Sequence, residues 1–75
     1  MIKYDRAIRI LDIFINLSRG GELNKHDAAV RYGVSDKTIQ RDIEDMRVFL
    51  ENKLQITIKY QKSKDTYSFE YLNRT

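Results

Sequence analysis

Apolar positions in the first third of the chain recur at helical spacing. Tyr4, Ile8, Leu11 and Ile15 lie four, three and four residues apart. Ala7, Ile10, Phe14 and Leu17 widen that row to half a cylinder, leaving Asp5, Arg9, Asp12 and Asn16 on the other half. The pattern predicts a helix over about 3–19 that turns the Tyr4–Ile15 row inward and supplies most of the core. Ile13 falls on the polar half, where it reads as an isolated exposed apolar residue, a common occurrence, or else as a contact with another subunit or domain. Gly20-Gly21 stops this helix, because glycine enters the left-handed conformation without strain. Glu22-Leu23 follows as a connector able to make a single strand pairing.

Asn24 can cap a second helix over about 25–32, with Asp27 three residues on as a weaker capping box. Its Ala28-Ala29 pair is small enough for another helix to approach closely. Gly33 ends it, and Val34 alone separates that glycine from Ser35, a good N-cap for a third helix over about 36–51. A glycine turn this tight implies steeply crossed helices, as in a helix-turn-helix. Ile39, Ile43, Met46 and Leu50 form the inward stripe of the third helix. Asp42 stands where an apolar residue is expected, with Ile43 taking the inward role, and Asn52 is expected to end the helix in the left-handed conformation.

Beyond it the period changes from 3.6 to 2. Apolar and polar residues alternate from Leu54 to Tyr60 and again from Tyr67 to Tyr71, which predicts strands over about 54–60 and 66–71 joined by a polar turn. The expected fold class is therefore α+β, mostly α: one winged helix-turn-helix domain over 1–75, three helices followed by a two-stranded β-hairpin wing.

Charge sharpens this picture. Lys37 and Arg41 point away from the buried stripe of the third helix, with Thr38 and Gln40 on the shoulders of the same two turns. A helix so decorated can enter the DNA major groove, where arginine reads guanine, glutamine reads adenine and lysine holds phosphate. The same pattern on an isolated helix is also an ordinary means of solubility. The hairpin adds weight to the first reading: Lys53, Lys59, Lys62 and Lys64 occur with no acidic residue between the first and last. Lysines on an edge strand discourage sheet-to-sheet aggregation, but beside a candidate recognition helix they suit phosphate contacts.

Composition mainly excludes. The chain has 75 residues, 41% hydrophobic and 33% charged, and a net charge of +3, so it holds one small core and mildly favours polyanions. It has no cysteine, which rules out disulfides and thiolate metal sites and suits a reducing cytoplasm, the expected location. No apolar run approaches the roughly 20 residues that cross a bilayer, and MIKYDRAIR lacks the apolar stretch of a signal peptide. His26 has no second histidine or cysteine with which to share a metal, and Gly20-Gly21 lacks the spacing and lysine of a phosphate loop. Asp42, Glu44 and Asp45, interleaved with Arg41 and Arg47, read as solvated ion-pair partners on an exposed helix. No enzyme activity, cofactor or metal is expected.

The segment GVSDKTIQRDIEDM, with RAIRILDIF and a glycine turn before it and an aromatic-rich hairpin after it, resembles the N-terminal winged helix-turn-helix of bacterial transcription regulators of the DeoR and WYL type. The resemblance implies double-stranded DNA as partner. It implies Ser35, Lys37, Thr38, Gln40 and Arg41 as the DNA-facing residues and Asp42 as a residue that orients basic neighbours; Lys59, Lys62 and Lys64 are offered as wing contacts by their charge and position alone. Such regulators commonly read inverted repeats as homodimers, with half-sites about one or two helical turns apart. They carry a C-terminal ligand-sensing, dimerising domain, so the chain is expected to be either a DNA-binding domain cut from one or a short stand-alone protein. Two positions depart from the family pattern: Ala28 replaces a leucine, and Thr66 replaces the glycine before Tyr67. Two other readings remain open. One is a protein-contact module using Val48, Phe49 and Ile13. The other is a regulatory front domain of a larger enzyme, as in biotin ligases.

Overall fold

Three side-chain caps decide where the helices begin. In the computed structural model, which describes residues 3–72, Asp5 Oδ1 accepts from the Ile8 amide at 3.0 Å, Asn24 Oδ1 from Asp27 at 2.9 Å, and Ser35 Oγ from Thr38 at 3.0 Å. The helices that follow are α1 (Arg6–Ser18), α2 (Lys25–Tyr32) and α3 (Asp36–Lys53); strands β1 (Ile56–Gln61) and β2 (Thr66–Tyr71) complete the chain. This is a winged-helix arrangement of the α+β class, and no helix among the described residues is long and apolar enough to cross a membrane. Helix α1 starts later than the apolar spacing predicts, because Asp5 is its cap. Tyr4 lies outside the helix and meets Tyr32 edge to face, ring centroids 5.0 Å apart.

The helix ends divide between glycine and polar bonding. Gly33 (φ 70°) closes α2 in the left-handed conformation, and the Val34 amide reaches back to the Ala29 carbonyl at 3.0 Å. Asn52 does not end α3: it stays helical, its side-chain amide donates to the Val48 carbonyl at 2.9 Å, and Gln55 takes the positive φ of 56° after the helix. Leu54 is thereby the exposed C-cap rather than a strand residue, and β1 starts at Ile56. The strands pair antiparallel with Ile58 opposite Phe69. Leu23 adds a one-residue rung beside β2, exchanging hydrogen bonds of 2.9 and 2.8 Å with Tyr67.

The core corrects the reading of α1. Ile13, assigned to the polar half, is completely buried beside Leu17, while Ile8, Leu11 and Ile15, assigned to the core, face out. The cause is a charge pair. Arg9 and Asp42 are only 6% and 1% exposed, and the guanidinium forks onto the carboxylate, Nε to Oδ2 at 2.5 Å and Nη2 to Oδ1 at 3.2 Å. Asp42 is thus not a solvated partner on an exposed helix. With that carboxylate inside, α1 must turn Arg9 inward to meet it, and Ile13 and Leu17, four and eight residues on, follow. They pack with Ala28 and Ala29 of α2, Ile39, Ile43, Met46 and Leu50 of α3, and Ile56 and Ile58 of β1. Burying a side chain such as Ile13 contributes about 2 kcal/mol. Phe14, at the core margin, packs on Phe69 with centroids 5.7 Å apart.

Removing one member of the buried pair leaves the other charge without compensation. Asp42→Ala should cost about 3–5 kcal/mol, much of the stability of a domain this small, whereas Arg9→Met with Asp42→Leu should be near neutral, as read from urea midpoints. A second expectation concerns Tyr32. Its burial, and then the hydrogen bond it donates to Asp12 at 2.7 Å, push its phenol up from 10.0 to about 12. The folded form therefore holds this proton more tightly than the unfolded chain. Its contribution is intact below about pH 10 and lost as pH rises to about 12. Tyr32→Phe should remove about 2 kcal/mol from the fall in stability across that window, measured by denaturation at each pH.

Candidate nucleic-acid interface

The cap that starts α3 also shapes its first turn. Ser35 Oγ takes the Thr38 amide and lies 2.9 Å from Thr38 Oγ1, so both hydroxyls are occupied at the helix start. Asp36 supplies negative charge to the positive end and sits 3.2 Å from His26 Nδ1. Because Ile39, Asp42, Ile43, Met46 and Leu50 are buried, the opposite side of the helix must face out. Lys37, Gln40, Arg41 and Glu44 line one shallow concavity there. Of the five candidates on α3 and its cap, Ser35, Lys37, Gln40 and Arg41 are exposed and Thr38 is half-buried.

The tight Gly33 turn lays the start of α2 beside this face. Lys25 Nζ stands 3.5 Å from Gln40 Oε1. Sequence reasoning missed Lys25; the signal for it was the turn, which returns the first residue of α2 to the first turns of α3. The hairpin turn joins on the far side of Asn24, whose side-chain amide donates to the Asp65 carbonyl at 2.9 Å. Asp65 takes φ 53°, so the left-handed residue of this turn precedes Thr66. Its carboxylate accepts from the Tyr60 hydroxyl at 2.6 Å, a bond that raises the Tyr60 pKa. Lys25 thus stands beside the outward face of α3, and its neighbour Asn24 is bonded to the hairpin turn that carries Lys62 and Lys64.

The wing lysines do not act as one group. Lys62 is exposed at the turn. Lys64 lies 3.4 Å from Glu22. Lys59 lines a different hollow, with Gly20, Gly21, Glu22 and Ser68, to which α3 contributes nothing. Lys53 stands sixteen residues from Lys37 on α3, about 24 Å along the axis, too far to share its surface. Acidic side chains on this side are mostly engaged: Glu44 pairs with Arg47, Glu22 with Lys64 and Asp36 with His26. Among the described residues Lys37, Arg41 and Lys62 enter no ion pair, and no three His, Cys, Asp or Glu side chains converge as a metal site. No protein-family model, curated protein or solved structure matches the chain.

The cap is the part of this arrangement that stability can probe. Ser35→Ala should cost about 1 kcal/mol by losing the bond to the Thr38 amide, and Ser35→Asp should restore most of it, as judged by thermal unfolding of the two variants.

Proposed function

We propose that the chain binds double-stranded DNA sequence-specifically as the reading domain of a bacterial transcription regulator of the DeoR and WYL type, working in the cytoplasm. On this reading the first turns of α3 enter the major groove. Arg41 and Gln40 meet base edges, Lys37 meets phosphate or a base, and Ser35 and Thr38 hold the helix start. Lys25, Lys62 and Lys64 contact backbone phosphates on either side. The observation that carries it is the outward face of α3 with Lys37, Gln40 and Arg41 on one concavity and Lys25 against Gln40, Lys37, Arg41 and Lys62 being unpaired among the described residues. Groove readers need this combination, because phosphate contacts fix the register in which a few side chains read bases. Lys59, on a different hollow, contributes to long-range attraction more than to a defined contact.

A second reading, a protein-contact module, rests on Val48 and Phe49, both exposed. Its third residue, Ile13, is buried and drops out. This module would bind DNA no better than a net charge of +3 gives.

Selection from a pool of random duplexes separates the two. The DNA-reading function predicts an enriched motif, lost or relaxed in Arg41→Ala at a cost of about 1–3 kcal/mol, while Lys62→Ala weakens every sequence alike and lowers the salt slope by about 1. A pool without enrichment, bound weakly and released as salt rises, would sink specific readout.

A further inference from the structure

Helix α1 is apolar on two opposite sides, and the domain has only one core. Ile13 and Leu17 fill the inner side, while Ile8, Leu11 and Ile15 form a row of positions i, i+3 and i+7 along the outer one. A helix apolar around most of its circumference belongs inside a larger packing. Beside the outer row runs a groove of about 210 Å³ between α1 and the C-terminal half of α3, lined only by apolar side chains, among them Ile10, Leu11, Met46, Phe49 and Leu54.

We infer that this face is a homodimer interface, in which the α1 row of each copy packs against the row and groove of the other about a two-fold axis. The inference rests on these apolar surfaces and is independent of the reading of α3 as a DNA reader. Area supports a second copy as the occupant. Ile8, Leu11, Ile15, Phe49 and Leu54 are 37, 57, 48, 58 and 51% exposed. A fully open aromatic presents about 150–250 Å² and the aliphatic residues somewhat less, so the five present on the order of 400–450 Å² per chain. Two such faces come close to the roughly 1,000 Å² that a specific interface needs, and a polar rim supplies the remainder. Shape supports it as well, since each copy offers a ridge and an adjoining recess on one surface, as a two-fold contact requires. No charged residue belongs to the row or lines the groove, so a highly charged partner has nothing to pair with there. Lys37, Gln40 and Arg41 line a separate concavity and take no part in this face.

Sedimentation equilibrium of the 75-residue chain from about 1 μM to about 1 mM tests the proposal. The mass should climb from one chain to two, and Leu11→Lys should weaken association at least about tenfold with an unchanged circular-dichroism spectrum. A second variant stands apart from any change in folding. The chain has no cysteine, so Leu11→Cys should form a disulfide-linked dimer under mild oxidation, faster than Lys62→Cys at the hairpin turn. A single-chain mass at every concentration, or equal cross-linking of the two cysteine variants, would overturn it and leave this face to a different partner.

Discussion

The fork between Arg9 and Asp42 is the constraint from which the rest of the structure follows. A carboxylate with 1% of its surface exposed is stable only while two donors hold it in good geometry, since the desolvation of both ions is offset by little else. Such a pair adds little net stability over an apolar substitute. What it does is exclude alternatives: any rotation of α1 that hides Ile8 and Leu11 also strands a charge in the core. Arg6 strengthens the same docking, approaching Asp42 at 3.5 Å while pairing with Asp45 one turn along α3.

Helix α3 is the shared neighbour through which the other elements are aligned. It meets α1 through the buried pair, α2 through its apolar stripe, and β1 through Arg47, whose Nε donates to the Ile58 carbonyl at 3.1 Å. Arg47 therefore joins the hairpin to the helix while it also pairs with Glu44 at the edge of the outward concavity. The second tie, from Asn24 to Asp65, fixes the other end of the hairpin to α2. With both ends held, the turn bearing Lys62 keeps its position relative to Lys25 and Gln40.

Much of this was legible in the sequence, and the failures have physical causes. The caps at Asn24 and Ser35, the glycine at residue 33 and the change of period after α3 are local signals, and local chemistry decides them. The face of α1 was not legible, because both its sides are apolar and a count of hydrophobic residues cannot choose between them. The deciding fact was a pairing across 33 residues. Asp42 gave a hint, lying three residues after Ile39 and four before Met46, on the buried stripe itself. In the candidate site, the residues of α3 were recoverable because one helix presents them all. Lys25 and the separation of Lys59 from the others depend on which hollow each side chain enters, and spacing along a chain does not carry that information.

The disposition of α3 also bears on how such a chain can change over time. Its outward residues, 37, 40, 41 and 44, interleave with buried ones at 39, 42, 43 and 46, so the two sets are locked in phase. Substitution at the outward set touches no core atom, and the identity of that surface is free to drift while the fold stays constant. Insertion or deletion of a single residue between the two sets would turn one against the other by about 100°, carrying Arg41 into the core or Asp42 out of it. Diversification in this helix is therefore open to changes of side chain and closed to changes of length.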